Sequence, residues 1–223
     1  VIMIVVVALC LLAPVIAPYD IDAQDITRKF TEPSQEFICG TDNLGRDIFS
    51  RLLYGGRISL MVGFVPASIA AILGVILGAI AAFYGKRTDN IIMRILDVFM
   101  ALPQMLLAIA ISAMIGTGIK GAIIAVTVAT IPRYAQAVRG PILSIRNQEF
   151  VEAAFAIDAK DSRIVLRHIL PNVLSPIIVQ VTMGVGNAIT MAASLSFIGL
   201  GVQPPYPEWG AMLSAARVYI LDP

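Results

Sequence analysis

The chain has 223 residues, of which 58% are hydrophobic and 14% are charged, whereas a soluble domain is about half apolar and about a quarter charged. This composition excludes an ordinary soluble domain and indicates an integral membrane protein. A formal net charge of +1 argues against nucleic acid as a partner, because nucleic-acid binding requires a clustered basic surface.

Five apolar segments approach or exceed the roughly 20 residues that a membrane-spanning helix needs. The first opens the chain, and we expect a truncated transmembrane helix there, because prolines replace the small residues of a signal-peptide cleavage site. Backbone groups in lipid must be paired within the segment, so the predicted fold class is all-α, a polytopic membrane helical bundle. The segments are 1–17, 58–84, 91–115, 119–138 and 175–201.

The segment 18–57 follows the first span and is expected to be external. It begins with turn residues and then places Ile48, Phe49, Leu52 and Leu53 on one helical face. This pattern predicts a helix that lies in the membrane interface. A simple lead-in to the second span and a specific contact with a partner are the two further interpretations, and they are compatible with each other.

Small residues recur every four positions in the second span, at Ala70, Gly74, Gly78 and Ala82. Such a ridge allows another helix to approach closely. We therefore expect helix packing there rather than a ligand site.

The distribution of Lys and Arg predicts the orientation, because cytoplasmic loops are enriched in both. It places the segment 139–174 in the cytoplasm and, with five spans, Pro223 outside. The residues assigned to the cytoplasmic side are Lys86, Arg87, Arg94, Arg133, Arg139, Arg146, Lys160, Arg163 and Arg167.

Within that cytoplasmic stretch, residues 149–174 carry two short amphipathic patterns. The first helix is expected to end near residues 157–159, where charged residues interrupt the apolar period, and Pro171 is expected to stop the second. A protruding hairpin with an apolar face needs a protein partner.

Specific residues of this hairpin resemble the EAA loop of permease subunits in bacterial ABC importers. They are Glu152, Ala153, Ala154, Leu170 and Pro171. The stretches GTDNLGRDIFSRLLYGGRISL, RHILPNVLSPIIVQ and ASLSFIGLGVQPPYPEWG are similar to the dipeptide, oligopeptide and nickel branch of that family.

The resemblance implies an ABC importer type I permease fold with six spans, so a sixth helix is expected beyond this chain. It divides the chain into a first helix (1–17), an external segment (18–57) and a transmembrane domain (58–223) that includes the loop 149–174. The family has Gly where this chain has Asp158, and we expect Asp to keep the left-handed turn. His168 is interpreted as part of the docking surface.

The implied function is to form half of the pathway for di- or oligopeptides, with a nickel or metal-chelate importer as the alternative. The implied partners are a second permease subunit, two ATPase subunits and an external binding protein, in a bacterial or archaeal cell membrane. This chain is expected to be no enzyme and to bind neither cofactor nor metal. ATP and Mg²⁺ would lie on the ATPases, since no phosphate-binding loop occurs here.

Two polar residues of the last span, Gln180 and Asn187, indicate either hydrogen bonds between helices or a water-filled pathway. A remote alternative for the whole chain is an ion-gradient-driven transporter. That class would require acids near mid-span, yet Asp97, near the end of its segment, is the only acid within a span.

Overall fold

The structure is a computed structural model that describes residues 2–219. The expected domain ends at Val1 and Pro223, and the external position of Pro223, lie outside these residues. Within them only an isolated bridge interrupts an architecture of helices and turns, which confirms the all-α fold class. The helices are α1 (Ile2–Leu11), α2 (Ala13–Ile16), α3 (Ile48–Tyr84), α4 (Lys86–Met100), α5 (Gln104–Ile115), α6 (Ile119–Arg146), α7 (Glu149–Ala156), α8 (Asp161–Arg163), α9 (Leu174–Phe197) and α10 (Trp209–Ala216).

Only some of the predicted spans form single helices that are long enough to cross a membrane. Among residues 2–219, three helices have the length and composition to cross a membrane: α3, α6 and the continuous helical stretch Asp161–Phe197. The first apolar run does not reach that length, because α1 has 10 residues and a helix rises only about 1.5 Å per residue.

The third predicted span is broken. The helices α4 and α5 together satisfy the same test, but they meet at an angle of 85°. The break falls at Pro103, whose ring and missing N–H prevent the helical hydrogen bonds of the preceding turn. By contrast Pro132 lies inside the uninterrupted helix α6.

The chain divides into two compact units. The first comprises the described residues of Val1–Gly63, Ser112–Ile123 and Ile189–Pro223, and the second comprises Phe64–Ile111 and Ile124–Ala188. Each unit contains residues of the long helices.

In the first unit, the segment that precedes α3 is fixed to the start of that helix. The Arg51 guanidinium donates hydrogen bonds to the backbone carbonyls of Ile21, at 2.7 Å, and Pro205, at 3.3 Å. The buried Glu208 carboxylate accepts from the hydroxyl of Ser59 at 3.1 Å and caps α10. The helix α3 runs unbroken from Ile48, so the predicted amphipathic face forms the start of this long helix. Its position in the membrane interface stays a prediction.

In the second unit, α3 and α6 approach through the predicted small-residue ridge. A Cβ atom added to Gly78 would lie 2.5 Å from the carbonyl oxygen of Ala135, and one added to Gly74 would lie 2.9 Å from that of Ile131. Ala70 is fully buried in the same contact. The packing prediction is therefore confirmed, and side chains larger than hydrogen are excluded at both glycines.

Candidate functional site

The inner side of the segment 149–174 is attached to the ends of two long helices. Val151 and Ala154 of α7 are buried in a single apolar cluster, where they meet residues of the following helical turns and of α3 and α6. Phe155 also stacks on Phe83 of α3, with ring centroids 5.8 Å apart. The cluster consists of Ala79, Ala82, Phe83, Val138, Ile142, Val151, Ala154, Ile164, Ile169 and Val173.

The outer side of the same segment is open. Glu152 and Ala153 are exposed on α7, and two large apolar side chains are exposed nearby, Ile157 at 79% and Leu166 at 66%. The sequence places Leu166 in the apolar pattern of the second helix and Ile157 at the end of the first, but neither was predicted as a docking residue. Large apolar side chains exposed in a polar loop are typical of a protein contact surface.

The predicted loop residues therefore divide between two faces. Ala154 is 5% exposed and packs inward, so it is not on the same surface as its neighbour Ala153. His168 and Leu170 are half-buried, and Pro171 is exposed. The backbone carbonyl of His168 accepts a 2.7 Å hydrogen bond from the Asn172 side chain.

The end of α7 forms the expected left-handed turn. Asp158 has a φ of +55°, and its amide donates to the carbonyl of Phe155 at 3.0 Å, while the amide of Ala159 donates to that of Ala154 at 3.2 Å. These two bonds form a Schellman motif, in which glycine is the usual left-handed residue. Asp158 occupies that position, as the sequence predicted.

The second helix does not stop at Pro171, which corrects the prediction. The chain passes from α8 into a π-helical turn at Ile164–Ile169, then a 3₁₀ turn at Leu170–Val173, and continues as α9. Proline removes one backbone donor and crowds the carbonyl four residues earlier. A wide π turn followed by a tight 3₁₀ turn changes the hydrogen-bond partners around it, so the helix continues.

The polar residues of α9 lie apart from the loop surface. Gln180 is half-buried and Asn187 is exposed, and only 17% of the most apolar stretch of this helix is buried within the chain. Neither side chain forms a hydrogen bond with another described residue, so the structure does not place them in a helix-to-helix contact.

Charged groups of the spans are paired in a way that the sequence did not suggest. Asp89 of α4 and Arg139 of α6 form a bidentate ion pair, with N–O distances of 2.6 and 2.5 Å. Asp97 accepts a 3.4 Å hydrogen bond from Gln136. Within residues 2–219 no three His, Cys, Asp or Glu side chains converge as metal ligands would.

Known proteins similar to this chain are named as membrane components or permeases of transport systems. Residues 74–221 match the family "Binding-protein-dependent transport system inner membrane component". The dipeptide transport system permease protein DppC of Alkalihalophilus pseudofirmus is 45% identical, over 96% of this chain and 70% of that protein. The glutathione transport system permease protein GsiD of Escherichia coli is 50% identical, over 97% of this chain and 71% of that protein.

A third relative, the di/tripeptide transport system permease protein DppC of Pseudomonas aeruginosa, is 42% identical over 98% of this chain and 74% of that protein. Among solved structures, a chain of the MetNI methionine ABC transporter in an inward-facing conformation superposes with a TM-score of 0.64. It shares 21% sequence identity and covers 76% of this chain and 81% of that chain. This likeness establishes the fold.

The helical fold and the spanning helices define a multi-pass membrane protein. The chain belongs to the family of binding-protein-dependent transport system inner membrane components. It is therefore a permease of an importer complex that includes ATPase and binding-protein partners. This membership excludes the ion-gradient-driven alternative, and these relatives give no support to nickel.

Proposed function

We propose that this chain forms half of the translocation pathway of a peptide importer and that an ATPase subunit docks on the outer side of the segment 149–174. The substrate class is supported by relatives named for dipeptides, for di- and tripeptides and for glutathione, which is itself a tripeptide. Peptides of two or more residues, delivered by an external binding protein, are the proposed cargo.

The observation that carries the docking assignment is the two-sidedness of α7. Its inner face is sealed against α3 and α6 through Val151 and Ala154, while Glu152 and Ala153 point away from the chain. A rigid element with one face anchored and the other free suits the transfer of force between subunits. The docking surface comprises Glu152, Ala153, Asp158, His168, Leu170 and Pro171, extended by Ile157 and Leu166.

This geometry supports a mechanism in which ATP-driven closure of the ATPase pair moves the segment 149–174. The apolar cluster contains residues from α3 and α6, so displacement of α7 shifts the ends of both helices. Close-packed interiors transmit such displacements rather than absorb them. Ala154 serves as an anchor in this scheme, and Ala153 permits close approach of the ATPase.

The assembly proposed around this chain contains a second, non-identical permease subunit and two ATPases in the cytoplasmic membrane of a prokaryote. ATP and Mg²⁺ bind to the ATPases, while this chain binds no cofactor and hydrolyses nothing. The low burial of α9 within the chain, at 17% of its most apolar stretch, supports a contact with the second permease. Gln180 and Asn187 belong to that contact or to the pathway between the two subunits.

The docking assignment is tested in the complete complex with the double variant Glu152→Lys/Ala153→Leu. Both positions are exposed, so permease levels and thermal stability should remain unchanged. Recovery of the ATPases with the tagged permease should fall at least about fivefold, since loss of one central contact commonly costs about 1 kcal/mol or more, and peptide uptake should fall with it.

A matched charge reversal, Glu32→Lys in the exposed external segment, should leave ATPase recovery and uptake at the wild-type level. Full ATPase recovery and uptake in the double variant would refute the docking assignment. The substrate is tested separately by ATPase stimulation. Peptide-loaded binding protein should stimulate hydrolysis, and equal stimulation by nickel-loaded binding protein would contradict a peptide importer.

A further inference from the structure

The helix α4 has three sides with different surroundings. One side is attached to the protein, because Leu96 is buried there and Asp89 is paired with Arg139 of α6. The second side is apolar and exposed, and the third is polar and exposed. The residues of the exposed apolar side are Ile91, Ile95, Val98 and Phe99, and those of the exposed polar side are Lys86, Arg87, Asn90, Arg94 and Asp97.

The two exposed sides are adjacent. At about 100° per residue, each occupies an arc of about 100° around α4. Arg87 and Arg94 lie at the border between them, next to Val98. Arginine can cover apolar surface with its stem while its guanidinium stays among polar groups. The exposed part of α4 is therefore shaped for a boundary between apolar and aqueous surroundings.

The contacts of α4 show that it crosses α6 rather than running beside it. Asp89 is paired with Arg139, and Asp97 accepts a 3.4 Å hydrogen bond from Gln136. The two acids are about 12 Å apart along α4, whereas their partners are only about 4.5 Å apart along α6. Helices that run side by side would have partners spaced about as widely as the residues themselves.

The crossing lies at the end of the predicted span 119–138, because Arg139 follows that span directly. The next helix contacts α6 within the span, where Gln104 of α5 donates a 3.2 Å hydrogen bond to Thr130. Thr130 is about 13.5 Å from Arg139 along α6. Together with the bend of 85° between α4 and α5, these contacts place α5 along the span and α4 across its end.

We propose that α4 lies in the plane of the membrane interface, with its apolar side among lipid acyl chains and Arg87 and Arg94 at the lipid phosphates. An exposed apolar side flanked by Lys and Arg is typical of helices that lie in this position. Phe83, just before α4, belongs to the cluster that anchors α7. The interface is therefore the one on the side of the segment 149–174, which the proposed function places in the cytoplasm.

This position changes the interpretation of the predicted span 91–115. The chain enters the lipid interior only from Pro103 onward, and Asp97 stays among the headgroups, where a carboxylate costs much less than at mid-span. The proposal depends neither on the docking of an ATPase nor on the cargo. Its test measures membrane depth, so a failure of the docking assignment or of the peptide assignment leaves the result interpretable.

The experiment measures spin-label accessibility in the complete complex, reconstituted in vesicles of phosphatidylethanolamine and phosphatidylglycerol. Labels are attached at Ile91→Cys, Ile95→Cys or Val98→Cys in a variant that also carries Cys10→Ala and Cys39→Ala. All three labels should be accessible to oxygen, which concentrates in lipid, and protected from a water-soluble chromium complex. They should share one depth, about 5–10 Å below the phosphates.

Two controls calibrate the depths. Asn90→Cys, on the polar side of α4, should be accessible to the chromium complex. Ile72→Cys and Ile80→Cys, at exposed positions of the spanning helix α3, should differ in depth by roughly 10 Å.

Three results would each overturn the proposal. A depth that changes steadily by about 10 Å from Ile91 to Val98 would make α4 half of a membrane span. Protection of all three α4 labels from both reagents would show that a protein surface covers the apolar side. Access of the chromium complex to these labels would show that the apolar side lines a water-filled path.

Discussion

In the second unit, α3 and α6 pack so closely that their backbones are in contact, and we call this the closed region. The outer surface of the segment 149–174 is exposed, and we call it the open region. At Gly78 there is no space for a single added carbon, while Ile157 is 79% exposed. The first region is completed by this chain alone, and the second requires a partner. Substitutions should accordingly affect stability in the first region and assembly with the ATPase in the second.

The largest effect is expected from Gly78→Val. Its Cβ would lie 2.5 Å from the backbone carbonyl oxygen of Ala135, and backbone atoms cannot rotate away, so α3 and α6 must separate. We expect a loss of about 3 kcal/mol, measured as a lower thermal unfolding temperature and a lower yield of purified complex. The matched control is Gly140→Ala in α6, where an added Cβ meets nothing within 4 Å.

That control should be neutral or stabilising by up to about 1 kcal/mol, because alanine favours a helix more than glycine does. If Gly78→Val and Gly140→Ala unfolded at the same temperature, the contact between α3 and α6 would not be closed by the backbone. The region between α3 and α6 would then tolerate larger side chains, as an exposed surface does.

A second prediction separates the two faces of α7 with neighbouring residues. Ala154→Leu overpacks the buried cluster and should destabilise α7 by about 1–3 kcal/mol, seen as faster amide hydrogen exchange in α7. Ala153→Leu adds the same atoms on the exposed face and should leave exchange unchanged while lowering recovery of the ATPase. Equal exchange in both variants would mean that α7 is not anchored through Ala154.

A third prediction concerns the ion pair that ties α4 to α6. Asp89→Asn preserves the shape of the side chain but weakens the bidentate contact with Arg139, whose N–O distances are 2.6 and 2.5 Å. We expect a loss of about 1–2 kcal/mol of stability, with no change in ATPase recovery. Arg139→Gln should lower stability by a similar amount, and the double variant should lower it by no more than either single variant. A larger loss in the double variant would mean that the pair does not act as a unit.

The sequence predicted the closed region better than the open one for a physical reason. Small residues at Gly74 and Gly78 recur with the helical repeat, and only a close helix contact makes use of that spacing. The left-handed turn at Asp158 was implied by the resemblance, since the family has glycine there and Asp also adopts that conformation. The resemblance assigns Ala153 and Ala154 to docking alike, but only tertiary packing distinguishes the two: Ala154 is buried beside Val151, whereas Ala153 is exposed.

Two prolines show why the spans were harder to predict. Pro103 breaks the helix. Ala101 and Leu102 beside it are exposed, so packing within residues 2–219 does not hold the chain in a helical path there. Pro171 does not break its helix, because Ile169 and Val173 on either side are buried in the apolar cluster. The residue type is the same, and tertiary contacts decide between a break and a distorted turn.

The smallest effect is expected at Asp158, in the left-handed turn that ends α7. Its φ of +55° carries a steric cost for residues with a Cβ atom, so Asp158→Gly should stabilise the turn by a few tenths of a kcal/mol to about 1 kcal/mol. Asp158→Val should destabilise it by more. The measurement is hydrogen exchange of the Ala159 amide, which bonds the carbonyl of Ala154 at 3.2 Å. If Asp158→Gly left that exchange unchanged but lowered ATPase recovery, the aspartate side chain would be acting as a docking contact, and the open surface would extend into the turn that closes α7.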